Sequence, residues 1–144
     1  MLVADSNLLI YAANTSSPFH TRCRQLFEQW RQQPEPWHLT WGIIYEFLRV
    51  STHSRVFEKP LTSSDAWTLV DSLLSSPGLV LLTEGPRHTD IVAGMLREIP
   101  ELRGNVIHDL HTAALMREHG VRVIYTRDND FHRFRFLEVR DPVG

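Results

Sequence analysis

The apolar and polar positions of this 144-residue chain alternate between two kinds of segment. Short apolar runs, typical of buried strands, alternate with longer stretches in which apolar residues recur every three or four positions, as in amphipathic helices. The predicted strands are MLVAD, WHLT, LVLLT, VRVIY and FLEV. Strands that alternate with helices in this way predict an α/β fold with a mainly parallel central sheet flanked by helices.

The helical segments carry end signals. In SNLLIYAA either Ser6 or Asn7 can serve as the N-cap, and in NVIHDLHTAALMREHG the expected cap is Asn105 and the expected stop is Gly120. Trp30 and Trp67 fall at helical spacing, so both are predicted to be core residues. The other predicted helices are SPFHTRCRQLFEQWRQQ, WGIIYEFLRVSTH, SSDAWTLVDSLLSSPG (capped by Ser63 or Ser64) and PRHTDIVAGMLREI.

Composition narrows the class of protein. The chain is 42% hydrophobic and 22% charged, an ordinary globular composition, and its length fits one domain spanning residues 1–144. No apolar run approaches the roughly 20 residues that cross a bilayer, so no membrane association is expected. The opening MLVADSNLL lacks a basic start and is not expected to be a signal peptide. The single cysteine, Cys23, excludes an internal disulfide and fits a reducing cytoplasm.

Charge is distributed unevenly although the net charge is only -2, which gives no global attraction for nucleic acid. Six arginines lie between Arg117 and Arg140. Arginine pairs bidentately with phosphate, so Arg127, Arg133 and Arg135 are candidate phosphate contacts. Solvated charge on an exposed face explains any one of them equally well.

Three aspartates directly follow two of the predicted strands. Asp5 ends the first strand, and Asp128 and Asp130 come just after VRVIY. In parallel sheets the ligand site lies at the carboxyl ends of the strands. If the two strands are neighbours, the three carboxylates lie on one rim. A polar surface loop is the other interpretation of Asp128 and Asp130.

Two further acids interrupt apolar helical segments. Glu46 stands in IIYEFLRV, and Asp109 lies near a helix start, where the dipole also favours an acid. Four carboxylates converging at ~5 Å would repel by roughly 3 kcal/mol per pair at an effective dielectric near 20. A divalent cation would relieve that repulsion, and all-oxygen sites suit Mg²⁺ or Mn²⁺. Because such a cation can promote phosphodiester hydrolysis, the residue types point to a metal-dependent nuclease without establishing one.

Four segments, in order along the chain, resemble PIN-domain ribonucleases of the VapC toxin type. They are LVADSNLLIYA, YEFLRV, GNVIHDLHTAAL and TRDNDFHRF, and they span almost the whole chain. The resemblance implies a PIN-like three-layer domain. It also implies a metal-dependent endoribonuclease that hydrolyses RNA phosphodiester bonds.

The resemblance also implies a role for individual residues. The implied catalytic and metal-binding set around Mg²⁺ or Mn²⁺ is Asp5, Glu46, Asp109 and Asp128. Asp130 is a secondary candidate that holds a metal, orients a water or positions the loop. Asn7 and Thr126 match small polar positions that arrange the site. Whether Asp128 or Asp130 is the direct ligand stays open, as does the number of ions.

Partners are expected from the resemblance alone. Members of this family cleave RNA, often a tRNA or rRNA loop, commonly form homodimers, and are silenced by a cognate VapB-type antitoxin. Two positions depart from the common pattern. Arg127 and Asn129 flank Asp128 where many relatives have a small residue and an arginine, which leaves phosphate contacts in this loop open. Tyr45 stands beside Glu46, where a small residue is commoner.

Two other functions remain open at the level of sequence. Aspartate-based phosphotransfer would also use an acid after the first strand, but the only lysine, Lys59, precedes a mid-chain helix. A catalytically silent PIN-like binding module would keep the same acids to hold an antitoxin's basic tail. His108 and His111 flank Asp109, but no cysteine is near and no H-E-x-x-H pattern exists. Capping, exposure or substrate contact is therefore favoured over zinc for these histidines.

Overall fold

A computed structural model describes all 144 residues of the chain. Five strands and six α-helices follow the predicted order, with one short 3-10 helix near the end. The strands are β1 (Val3–Ala4), β2 (Trp37–Thr40), β3 (Leu79–Leu82), β4 (Val123–Tyr125) and β5 (Glu138–Arg140). The helices are α1 (Ser6–Ala13), α2 (His20–Gln32), α3 (Trp41–Ser51), α4 (Ser63–Leu74), α5 (His88–Glu98), α6 (Val106–His119) and the 3-10 helix Asn129–Arg133.

The five strands form one sheet in the order β3-β2-β1-β4-β5, and every pairing is parallel. The predicted α/β class with a parallel sheet is confirmed. The first strand is central, and its Val3 lies opposite Ile124 of β4. The backbone N–H of Asp5 continues this pairing by donating to the Tyr125 carbonyl at 3.0 Å. The ends of β1 and β4 therefore open at the same edge of the sheet, which is the condition that the sequence left as an assumption.

A single cluster of 28 buried apolar residues fills the space between the sheet and the helices. The predicted inner face of α2 is buried and includes Cys23 and Trp30, whose ring lies 5.8 Å from that of Trp37. The prediction for Trp67 was wrong, because this side chain is 43% exposed. None of the helices has both the length and the apolar character needed to span a bilayer.

Helix caps differ in detail from the predicted ones. Asp5, and not Ser6 or Asn7, caps α1. Likewise Thr62, and not Ser63 or Ser64, caps α4, because its side chain accepts the capping hydrogen bond from the N–H of Asp65. Asn105 precedes α6 but makes no capping bond through its side chain. Gly120 does end α6, with φ of 70°, in the left-handed conformation that glycine adopts without strain.

Strand β3 is less buried than its sequence LVLLT predicts. Val80 is 51% exposed. The reason is topological: β3 is an edge strand that pairs only with β2. An apolar run alone does not distinguish a central strand from an edge strand.

Candidate active site

Asp5 lies where the central strand β1 passes into α1, and its carboxylate is held by three donors. Its side chain is the N-cap of α1 and accepts from the Ser6 N–H at 2.8 Å. The Thr126 hydroxyl donates to Oδ2 at 2.8 Å, and the Asn7 amide donates to the same oxygen at 3.2 Å. With only 8% of the residue exposed, Asp5 has a fixed orientation at the carboxyl edge of the sheet.

Thr126, just past β4, connects the two central strands. Its hydroxyl donates to Asp5 and accepts from the Asn7 amide at 2.9 Å and from the Asp128 N–H at 2.9 Å. Asn7 in turn accepts from the Arg127 N–H at 3.3 Å. The Thr126 hydroxyl thus aligns Asp5 with the loop that carries the later aspartates, and Asn7 ties α1 to that loop.

Three further carboxylates converge beside Asp5. Asp109 comes from the first turn of α6, whereas Asp128 and Asp130 flank the start of the 3-10 helix. One oxygen from each of these three side chains lies within 4.8 Å of the others. Asp128 also accepts from the Asp130 N–H at 2.9 Å, which fixes the turn between them. We call Asp5, Asp109, Asp128 and Asp130 the acidic cluster.

Two members of the acidic cluster have raised pKa values. Burial raises the pKa of Asp5 to about 6, against the hydrogen bonds from Thr126 and Ser6, and Asp128 raises it further. Burial also raises the pKa of Asp109 to about 7, and the charges of Asp128, Asp5 and Asp130 add to that effect. Burial and the repulsion between neighbouring carboxylates thus both favour the protonated forms of Asp5 and Asp109.

Glu46 has a different environment from the other predicted acids. It lies on α3 and lines the same cleft, and its charge contributes to the raised pKa of Asp5. Its carboxylate, however, pairs with Arg49 one turn later, at 2.7 and 3.2 Å. The structure thus brings Glu46 to the cleft but not into the three-carboxylate group.

The acidic cluster lies in a cleft with a volume of about 830 Å³. Besides the acids, the cleft is lined by polar groups that the sequence did not assign to the site, among them Arg49 and Asn105. For Arg49, the E-x-x-R spacing on one helix is a signal that could have found it. The remaining lining residues are Ser6, Asn7, Ile10, Gly42, Ile43, Tyr45, His108, His111 and Thr112.

The predicted phosphate-binding arginines lie outside the cleft lining. Arg127 stacks on Phe19 at 4.0 Å and pairs with Asp141 at 3.3 Å. Arg133 lies closer to the acids, with its Nε 3.5 Å from Asp130. Arg135 is exposed. Of the three, Arg133 is the one that neighbours the acidic cluster.

The two histidines around Asp109 both reach the cleft. His111 Nε2 lies 2.6 Å from a carboxylate oxygen of Glu84 in the connection after β3. The lysine that a phosphotransfer site would need is absent from the cleft lining, since Lys59 lies in the connection between α3 and α4. The arrangement therefore lacks the lysine partner that the phosphotransfer alternative requires.

The residues present fit a hard divalent cation. All donors of the acidic cluster are carboxylate oxygens, which are the ligands that Mg²⁺ and Mn²⁺ prefer. Three of them already lie within 4.8 Å of one another. Burial and the neighbouring carboxylates raise the pKa values of Asp5 and Asp109, so the charged forms of these two groups lack compensation. A bound cation would supply the missing charge.

Comparisons of the sequence with a family model and with known proteins point to the same family. The family model described as PIN domain matches residues 2–137. A protein named Ribonuclease VapC33, from Mycobacterium tuberculosis, is 37% identical over 150 residues, covering 99% of this chain and 99% of its own. The match thus includes all four residues of the acidic cluster.

Solved structures share the fold. A VapC20 crystal structure from Mycobacterium tuberculosis, titled a Sarcin-Ricin loop cleaving toxin, has a TM-score of 0.67 at 17% identity and covers 98% of this chain and 100% of that one. A VapBC2 structure from Rickettsia felis, bound to a DNA fragment from its promoter, has a TM-score of 0.65 at 15% identity with 96% of each chain covered. At these identities the likeness concerns the fold alone.

Proposed function

Since the chain belongs to the PIN-domain family, we propose that it is a divalent-metal-dependent endoribonuclease toxin of the VapC type. In this proposal residues 1–144 are one PIN-like catalytic domain. The observation that carries the proposal is the convergence of Asp109, Asp128 and Asp130, with one oxygen of each within 4.8 Å, beside Asp5 at the edge of the sheet.

The proposed metal-binding residues are the acidic cluster, with Mg²⁺ or Mn²⁺ as the cation. When bound, the cation supplies charge neutralisation and Lewis acidity at the scissile phosphate. Asp130 is proposed as a metal ligand on the same footing as Asp128, because one of its oxygens lies in the same group of three converging carboxylates. Glu46 also lines the cleft, and its carboxylate would be available to a bound cation only if it left its ion pair with Arg49.

The chain's other groups prepare the cleft for RNA. Thr126 and Asn7 hold Asp5 in one orientation through hydrogen bonds of 2.8 to 3.2 Å. Arg49, with its side chain 66% exposed at the cleft, offers a cation to a phosphate. Arg133, beside Asp130, offers a second one, so these two arginines, more than Arg127 or Arg135, are the proposed phosphate contacts.

The proposed substrate is structured RNA of the tRNA or rRNA class. Support comes from relatives named ribonucleases and from the fold neighbour titled as cleaving the Sarcin-Ricin loop. A cognate VapB-type antitoxin is the proposed partner, supported by fold neighbours that are VapBC complexes. A homodimer and a cytoplasmic location remain predictions. Size-exclusion chromatography with light scattering tests the dimer directly.

The test compares RNA cleavage by wild-type protein, Asp109→Asn and the matched control Asp71→Asn. Asp71 is an exposed aspartate of α4, outside the cleft lining. With Mn²⁺ present, wild type and Asp71→Asn should cleave total cellular RNA at the same sites. Asp109→Asn should cleave on the order of 1,000-fold more slowly, the loss expected when a main electrostatic contribution to the transition state is removed.

Two results would contradict the proposal. Cleavage by a folded Asp109→Asn variant at the wild-type rate would remove the acidic cluster from the mechanism. Absence of Mn²⁺-dependent cleavage of total RNA by wild-type protein that has been freed of antitoxin would favour the silent binding module. Mapping the cleaved ends identifies the RNA in the same experiment.

A further inference from the structure

We propose that Glu84, His88 and His111 form a second cation site, which takes Zn²⁺ or a similar transition-metal ion. One ligand atom from each of the three side chains lies within 4.8 Å of the others. They come from three segments: the connection after β3, the first residue of α5, and the middle of α6. We call these three residues together with Glu118 the histidine cluster.

Glu118 gives His88 the geometry of a metal-binding histidine. The Glu118 side chain is 5% exposed, and its Oε1 lies 3.0 Å from His88 Nδ1. Because an ionised carboxylate only accepts hydrogen bonds, Nδ1 carries the proton and the lone pair of a neutral His88 lies on Nε2. A carboxylate that binds the far nitrogen in this way orients most metal-ligating histidines in proteins.

Glu118 is itself fixed by the backbone. Its Oε2 accepts from the Gly85 N–H at 2.6 Å. A Cβ at Gly85 would lie 2.5 Å from that oxygen, so any other residue here would displace the Glu118 carboxylate from its present position. Both oxygens of a buried carboxylate are thus committed to orienting His88 and the loop that carries Glu84.

A short hydrogen bond, through one proton, already joins Glu84 and His111. His111 Nε2 and Glu84 Oε1 are 2.6 Å apart. A cation that replaces this proton would bind both atoms, with His88 as the third ligand. The His111 ring is confined on its other side, because a Cβ at Gly42 would lie 3.2 Å from Nδ1.

The donor set separates this site from the acidic cluster. Two imidazoles and one carboxylate, with a fourth position open to water, suit Zn²⁺, whereas carboxylates alone suit Mg²⁺ and Mn²⁺. The two sites therefore differ in the cation that each prefers. This inference does not rest on the proposed nuclease activity, and either can fail without the other.

The test measures Zn²⁺ binding to the full chain by calorimetry, with excess Mg²⁺ to fill the acidic cluster. Wild type should bind one Zn²⁺, and Co²⁺ in its place should give the visible spectrum of a mixed nitrogen and oxygen site. His88→Gln and Glu84→Gln should each lose at least about tenfold in Zn²⁺ affinity. Glu118→Gln should lose about 10- to 100-fold through misorientation of His88.

His119→Gln is the matched control. His119 lies on the same helix as His111 and its Nε2 is 2.7 Å from the Thr83 carbonyl, outside the histidine cluster. This variant should bind Zn²⁺ as wild type does. A hundredfold excess of Zn²⁺ over its Kd should also raise the melting midpoint on the order of 10 °C in wild type and in His119→Gln, and less in His88→Gln.

Three outcomes would overturn the second site. Wild-type protein that binds no Zn²⁺ in excess Mg²⁺ would do so. Equal Zn²⁺ affinity in wild type and Glu84→Gln would also overturn it. Because Glu84 is exposed, that variant is expected to fold. Equal losses in His88→Gln and His119→Gln would show only adventitious binding by surface histidines.

Discussion

The acidic cluster and the histidine cluster open at the same edge of the sheet, yet the pKa of Glu84 shifts in the opposite direction from the pKa values of Asp5 and Asp109. Burial and neighbouring carboxylates raise the pKa of Asp5 to about 6 and of Asp109 to about 7. The hydrogen bond with His111 lowers the pKa of Glu84. The acids differ in their partners: those of the first cluster face one another, whereas Glu84 faces a base.

This difference separates two ways to bind a cation. The acidic cluster holds excess negative charge that destabilises the metal-free fold, so a cation relieves an existing repulsion. The histidine cluster is already paired internally, so a cation there must displace a proton. Hard cations are therefore expected to bind the first cluster and softer ones the second.

The largest expected effect is a loss of cation affinity at one cluster while the cation affinity of the other cluster is unchanged. Asp128→Asn removes a carboxylate of the acidic cluster and should lower Mn²⁺ affinity on the order of 100-fold. Loss of a metal ligand should weaken binding at least as much as loss of a residue that only orients a ligand. Zn²⁺ affinity at the histidine cluster should stay unchanged. Calorimetric titration with each cation measures both. A parallel loss of Zn²⁺ would mean that the two clusters are one site.

The next effect concerns how the acidic cluster is held. Thr126→Val keeps the shape of the side chain but removes the hydroxyl that serves Asp5, Asn7 and the Asp128 N–H. Leaving these groups without their partner should lower the free energy of unfolding by about 1–3 kcal/mol. Urea denaturation of metal-free protein measures this.

Thr68→Val is the control for that experiment. Thr68 is exposed, and its hydroxyl donates only to the Ser64 carbonyl of its own helix. Its replacement should change the free energy of unfolding by less than about 0.5 kcal/mol. Equal effects in the two variants would contradict a special role for Thr126.

A smaller effect follows from the opposite pKa shifts. Since the folded pKa of Asp109 is about 7 and its ordinary value is 3.8, its charge destabilises the fold progressively from about pH 4 to 7 and fully above that. Asp109→Asn should therefore raise the metal-free free energy of unfolding by about 1–2 kcal/mol at pH 8, and by nothing near pH 4.

Glu84→Gln should behave in the opposite sense. A lowered pKa stabilises the fold above the ordinary value of 4.5, and that contribution is lost as the pH falls through the folded pKa. The variant should therefore be less stable than wild type at neutral pH and equal to it in acid. Denaturation curves across this pH range test both variants, and a shift of the same sign in both would refute the contrast.

The smallest effect is geometric. Gly42→Ala would place a methyl group 3.2 Å from His111 Nδ1, so the ring must move by a few tenths of an ångström. Zn²⁺ affinity should fall about two- to fivefold, which is less than for loss of an orienting carboxylate. Mn²⁺ affinity should not change. A larger effect on Mn²⁺ than on Zn²⁺ would show that Gly42 serves the acidic cluster instead.

The acidic cluster could be anticipated from the sequence because strand ends carry its main members. Asp5 and Asp128 follow apolar runs, and the carboxyl ends of neighbouring parallel strands meet at one edge. Asp109 was reachable from its place near a helix start. What the pattern could not give was the direction of each side chain. The ion pair of Glu46 with Arg49 depends on side-chain rotamers. The position of Asp130, which converges with Asp109 as Asp128 does, depends on the turn after β4.

The histidine cluster could not be anticipated, because its members share no sequence pattern. Glu84, His88, His111 and Glu118 meet only where α5 and the connection from β3 to α5 lie against α6. The sequence instead drew attention to His108 and His111, which flank one aspartate, although His111 faces Glu84. The exposure of Trp67 and Val80 has a similar cause, because periodicity shows which face of an element is apolar but not whether anything covers it.

The bond between Thr126 and Asp5 has a consequence for how the chain is made. It joins residues 121 positions apart, so it forms only after nearly the whole chain has left the ribosome. Contacts of such long sequence separation form late, because the closure entropy of the intervening chain must be overcome first. A nascent chain therefore carries Asp5 without the Thr126 hydroxyl for most of its synthesis, and the complete acidic cluster forms only late.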